Sequence, residues 1–143
     1  MRNGFTLLEV IIAVGILVVV FFIAYTSFRS SSDDLLLIRN FTNKLKEDLR
    51  YVRQRSILLH ATSTLTFIPH VFLPNVYTSY TFMDDLGRTL SGTFTEGRIF
   101  TSDNTIEFND GDLTDSVTIT ITLNTYTSWI NVNKKGFIEV NVP

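Results

Sequence analysis

The chain holds 143 residues, 45% hydrophobic and 18% charged, with a formal net charge of −2 and no cysteine. That length predicts one domain beyond any anchor, and the missing thiols exclude disulfides, cysteine catalysis and sulfur-ligated metal. The small net charge hides an asymmetry: residues 29–55 carry seven basic and four acidic side chains (+3), residues 56–143 four basic and nine acidic (−5). Opposite signs on two parts of one chain suit contacts between subunits, and two independently solvated surfaces explain them equally well.

At the N-terminus, Met1-Arg2-Asn3-Gly4 precedes Phe5-Thr6-Leu7-Leu8-Glu9-Val10, and no charge occurs from Val10 to Tyr25. Phe5 to Phe28 make 24 residues, enough for a helix to cross a hydrocarbon core of about 30 Å. Glu9 stands inside this apolar stretch, where a carboxylate costs about 2.5–3.5 kcal/mol and marks a functional site with a partner. No Lys, Arg or His lies between Phe5 and Phe28, so that partner must come from outside the helix. A secretory signal is a poorer fit, because the run is too long, contains Glu9 and lacks a small-residue cleavage end.

Arg29-Ser30-Ser31-Ser32-Asp33-Asp34 is a polar break. Either Ser32 or Asp33 caps a second helical segment, or one helix continues through it. Beyond it, Leu35, Ile38, Phe41, Leu45, Leu49 and Val52 recur every three or four residues and predict an amphipathic helix. Unbroken from Phe5 to Leu58, the helix is about 80 Å long at 1.5 Å per residue.

The pattern then changes to alternation. Val117–Leu123 places Val117, Ile119, Ile121 and Leu123 on one face and three threonines on the other, a strand. Residues 129–133 and 137–142 alternate likewise and read as a hairpin closed by Lys134-Lys135-Gly136. Further strands are expected at 63–68, 76–82, 93–100 and 105–108, with a loop where Pro69 and Pro74 bracket His70-Val71-Phe72-Leu73. Seven short strands after one long helix predict an α+β fold, with the helix packed on one face of an antiparallel sheet.

Gly4-Phe5-Thr6-Leu7-Leu8-Glu9-Val10 resembles the leader and start of a type IV pilin or pseudopilin. The resemblance implies a leader at 1–4, a transmembrane and filament-core helix half at 5–28, an amphipathic half at 29–58 and a β-rich domain at 59–143. It implies that a prepilin peptidase cuts between Gly4 and Phe5 and methylates Phe5, and that Glu9 pairs with the Phe5 amine of a neighbouring subunit. The implied partners are other pilin subunits, the peptidase, an assembly ATPase, a platform protein and the inner membrane. The subunit sits there before joining a cell-surface pilus or a periplasmic pseudopilus. Many type IV pilins close a C-terminal loop with a disulfide, which this chain cannot do.

Near the C-terminus, Ile106-Glu107-Phe108, Asp110-Gly111, the strand and Lys135-Gly136-Phe137-Ile138-Glu139-Val140 resemble the H-type pseudopilin and FimT-like minor pilins. Some FimT-like proteins bind DNA through basic residues beside the final glycine, which here implicates Lys134 and Lys135. A major fibre subunit is the other reading carried.

Catalytic chemistry is not expected. His60 and His70 lack the neighbours of a nucleophilic triad and are assigned to loop or strand edge. Asn109–Asp115 offers Asp110, Asp112 and Asp115 as calcium ligands, but without EF-hand spacing Asp110-Gly111 reads better as a turn. Asp84-Asp85 with Gly87-Arg88 reads as another turn. Asn40-Phe41-Thr42 matches a glycosylation sequon by chance, since Phe41 lies on the apolar stripe. No cofactor or metal is expected.

Overall fold

The computed structural model describes residues 6–84 and 86–143, apart from the side chains of residues 26–32 and Pro74. Helix α1 spans Leu7–Leu59 and runs through the polar break, so the continuous alternative holds. Serine is only mildly unfavourable in a helix interior, and three in succession do not offset the propagation of the flanking turns. The chain divides between Asp33 and Asp34 into two compact units.

Eight strands follow in the second unit: β1 (Thr62–His70), β2 (Leu73–Met83), β3 (Thr89–Thr93), β4 (Arg98–Thr101), β5 (Thr105–Asn109), β6 (Val117–Leu123), β7 (Tyr126–Val132) and β8 (Ile138–Asn141). They form one antiparallel sheet in the order β5-β1-β2-β4-β6-β7-β8, with β3 also against β2. The register between β2 and β4 is the single pair Tyr77↔Ile99, so the sheet is narrowest in hydrogen bonding there.

Two strand expectations need correction. The strand expected at 93–100 is interrupted, because Phe94-Thr95-Glu96-Gly97 turns the chain between β3 and β4. Gly97 sits where a Cβ would meet the Phe94 ring at 2.1 Å and the Thr122 carbonyl at 2.5 Å, so close packing requires glycine there. The loop expected between the prolines is much shorter, since β1 reaches His70 and β2 begins at Leu73. Pro69 is accommodated by register shifts on both sides of it, the bulge that a residue without N–H demands.

The core lies between the C-terminal half of α1 and one face of the sheet. Ile38, Phe41, Leu45, Leu49 and Val52 are buried, as the three-and-four spacing predicts, and meet Leu65, Phe67, Tyr80, Phe108, Ile119 and Ile130. Phe41 stacks on Phe94 at 4.5 Å and meets the Tyr80 ring edge-on at 6.0 Å. Tyr80, inside this cluster, donates its hydroxyl to Asp48 Oδ2 at 2.6 Å. Burial and the Asp48 carboxylate together push the phenol pKa well above its ordinary value. Phe41 and Thr42 of the sequon are buried in the helix–sheet packing, while Asn40 is exposed.

Candidate assembly and binding surfaces

In the first unit, Thr6 starts the helix. Its carbonyl accepts the Glu9 and Val10 N–H groups at 3.0 and 3.3 Å, and its Oγ1 accepts the Glu9 N–H at 3.3 Å. This is an N-cap, with Glu9 three residues on, where a carboxylate meets the positive end of the helix dipole. The Thr6-Leu7-Leu8-Glu9 spacing is the signature that could have revealed the cap from sequence. Gly4 and Phe5, expected to form the cleavage and methylation site, lie outside the described residues.

Every residue from Thr6 to Ile23 is exposed within the chain, Glu9 included. Leu7–Tyr25 has a mean hydropathy of 3.1 and is long and apolar enough to cross a membrane. Seventeen of these side chains are not arranged as a stripe; they surround the helix, so no single packed neighbour could cover them.

In the second unit, the two glycine turns singled out by the sequence come together. Asn109 and Asp112 exchange backbone hydrogen bonds at 2.8 and 3.0 Å, and Asp110 and Gly111 between them have φ of 52° and 87°. Positive φ at both central positions defines the tight hairpin turn that Asp-Gly favours. Asn133 builds the second turn, its Oδ1 accepting the Lys135 and Phe137 N–H groups at 3.0 Å each. Arg53 on α1 bridges the two, donating to the Gly111 carbonyl and the Lys135 carbonyl at 3.0 Å each, with its guanidinium over the Phe137 ring. A Cβ on Gly136, itself at φ 70°, would stand 2.2 Å from the Gly111 carbonyl and 2.3 Å from Arg53 Nε. Ser56 Oγ accepts the Gly111 N–H at 2.9 Å and completes the junction. Sequence reading found both glycines but missed Arg53 and Ser56, because nothing local marks a helix residue that caps distant carbonyls.

The candidate ligand residues are spread around this junction. Lys134 pairs with Asp115 at 2.9 Å and Lys135 with Asp112 at 2.8 Å. The Asp112 contact raises the Lys135 pKa. Asp110 Oδ1 lies 3.0 Å from His60 Nδ1, and His70 Nδ1 accepts the Phe72 N–H at 3.2 Å. The three carboxylates considered for calcium therefore face three different basic side chains, and among the described residues no group of three or more metal-ligating side chains gathers. The two lysines considered for DNA each face a carboxylate.

At the other turn, Asp84 is buried, accepts the Leu86 and Arg88 N–H groups at 3.0 and 2.7 Å, and meets Arg88 Nε at 3.3 Å. Burial works to raise its pKa. The two backbone N–H groups and the Arg88 and Arg55 charges outweigh that and hold it below its ordinary value.

Residues 1–25 match the prokaryotic N-terminal methylation motif. Two crystal structures of the type IV minor pilin FimU from Pseudomonas aeruginosa share the fold. One superimposes with a TM-score of 0.59 at 12% identity, over 73% of this chain and 87% of that one. The chain carries a prokaryotic N-terminal methylation motif and a pilin-like fold. The second FimU crystal form gives a TM-score of 0.57 at 11% identity, over 72% of this chain and 91% of its own. No curated protein matches the sequence. At these identities the likeness to FimU concerns fold alone, and the methylation motif concerns the N-terminus.

Proposed function

We propose that the chain is a minor pilin or pseudopilin, a structural rather than catalytic subunit of a type IV pilus or a type II secretion-like filament. A prepilin peptidase removes residues 1–4 and methylates Phe5. The subunit rests in the inner membrane through residues 5–28 and is lifted by an assembly ATPase and platform protein into a pilus or pseudopilus. Residues 29–58 and 59–143 form the amphipathic helix half and the β-rich domain on the filament surface. The observation that carries this reading is the apolar surface of Leu7–Tyr25, which none of the described residues buries. Lipid covers it before assembly, and identical helices cover it afterwards.

Glu9 supplies register. Its charge is costly in lipid and is offset when the Phe5 amine of a neighbour arrives, so only one axial offset between helices is favourable. Mass spectrometry of sheared surface filaments tests the proposal, with a trace of peptide beginning at methylated Phe5 as the expected result. An abundant peptide would instead make this the major fibre subunit. Protein found only in membranes, still beginning at Met1, would overturn the reading.

A further inference from the structure

The outward face of the sheet carries an ordered row to which the proposed function assigns no role. The register Phe100↔Thr120, Thr120↔Trp129 and Trp129↔Asn141 sets four side chains side by side across β4, β6, β7 and β8. Their chain neighbours Ile99, Ile119, Ile121 and Ile130 are buried, so alternation turns the row away from the core. Trp129, the one tryptophan of the chain, is 37% exposed despite its size. Adjacent strands lie about 4.8 Å apart, so the Phe100 and Trp129 positions are roughly 9.6 Å apart with a hydroxyl between them and an amide beyond.

The row contains no ionisable group. The nearest charges on this face, Arg98 and Glu139, belong to the rows on either side, Arg98↔Thr122 and Asn131↔Glu139. A neutral ligand lying along the row therefore desolvates no charge. The outward positions of β4, β6, β7 and β8 also include no aliphatic side chain. A protein-docking patch places aliphatic and aromatic anchors at a water-excluded centre, whereas this face alternates flat rings with hydroxyl and amide groups. That alternation complements a pyranose chain, whose C–H faces stack on rings and whose equatorial hydroxyls bond to Thr and Asn.

We propose that this row binds a neutral, β-1,4-linked polysaccharide strand, with Trp129 and Phe100 as stacking platforms two sugars apart and Thr120 and Asn141 as hydrogen-bonding partners. The proposal goes beyond filament assembly and is independent of it, because no residue of the row lies on α1.

The test uses the full chain in a zwitterionic, sugar-free detergent, read by the emission of its single tryptophan. Titration with cellohexaose is expected to shift and quench Trp129 emission, with cellobiose binding at least about tenfold more weakly because it spans one platform only. Retention on insoluble cellulose should be lost in Trp129→Ala, reduced in Phe100→Ala and partly kept in Trp129→Phe. An unchanged circular dichroism spectrum shows that each variant is folded. Unchanged emission at saturating cellohexaose, or equal retention by Trp129→Ala, would overturn the proposal. So would a face that responds only to a second pilin: loss of subunit incorporation in Trp129→Ala without any saccharide response assigns the row to a protein partner.

Discussion

The two halves of α1 are made from similar side chains and put them to opposite use. From Leu7 to Tyr25 apolar residues occupy every side of the helix, and Leu7 to Ile23 are all exposed. From Ile38 to Val52 they occupy one stripe, and Ile38, Leu45, Leu49 and Val52 are fully buried. The amount of hydrophobicity does not separate the two; its angular distribution does. A stripe specifies a neighbour that the same chain can supply, here the sheet. A cylinder specifies surroundings that one small domain cannot supply, namely lipid or several copies of itself.

The contrast breaks most severely if the stripe loses its partner. Phe108 is fully buried on β5 against the helix, and Phe108→Ala is expected to destabilise the second unit by about 3–5 kcal/mol. Denaturant unfolding followed by circular dichroism reads the loss, while membrane association should stay unchanged. The reciprocal change is Ile16→Asp, at a side chain 61% exposed in the middle of the first half. It adds about 2.5–3.5 kcal/mol to insertion and should move the protein from the membrane to the soluble or aggregated fraction. The melting of the sheet should not follow. A joint loss of both properties in either variant would mean that the halves are not independent.

A smaller effect sharpens what holds the sheet to the helix. Gly136→Ala pushes a methyl into the Gly111 carbonyl and Arg53 at a positive φ, at an expected cost of about 2–3 kcal/mol. Arg53→Ala in the same background should then add little, because the junction is already open.

These results mark where sequence is legible and where it is not. The helix, its stripe and β6 were legible because each is a long periodic pattern, and periodicity survives without tertiary information. The break after Phe94 was not, since Thr93–Phe100 alternates as a strand should, and the turn depends on Gly97 closing on the distant Thr122 carbonyl. Pro69 misled for a related reason: proline forbids a ladder bond but not a strand, and a bulge resolves the conflict. Of the candidate residues, Glu9 stands out in the sequence as a carboxylate in an apolar run, and the Asp110-Gly111 turn was legible from turn preference. That Lys134 and Lys135 would each meet a carboxylate could not be read, because Asp115 and Asp112 are about twenty residues away and arrive through sheet topology.

Asp84 offers a milder probe of the sheet unit, through pH. Its folded pKa lies below the ordinary carboxylate value, so the stability it contributes is fully present above that value. The contribution is lost as pH falls through the depressed folded pKa. Asp84→Asn should therefore flatten the acid limb of the stability curve below about pH 4, while changing nothing in how Leu7–Tyr25 meets a membrane. An acid limb equally steep in the variant would place the sensitivity in another carboxylate.

The smallest expected effect concerns Lys134 and Lys135, and its smallness is the informative part. Both pairs are open to water, with lysine side chains 64% and 72% exposed, and exposed pairs contribute little to folding. Lys134→Ala with Lys135→Ala should leave the denaturation midpoint where it was. The same double variant tests the DNA alternative. A lysine that binds a phosphate releases counterions, so removing two such contacts lowers the salt slope of DNA retention by about two. Lysines already facing Asp115 and Asp112 would have to give up those partners to reach a phosphate, on a domain whose net charge is −5. We therefore expect the same weak retention and the same slope in both proteins. A slope reduced by about two would move the function of this end of the molecule from packing to nucleic-acid capture.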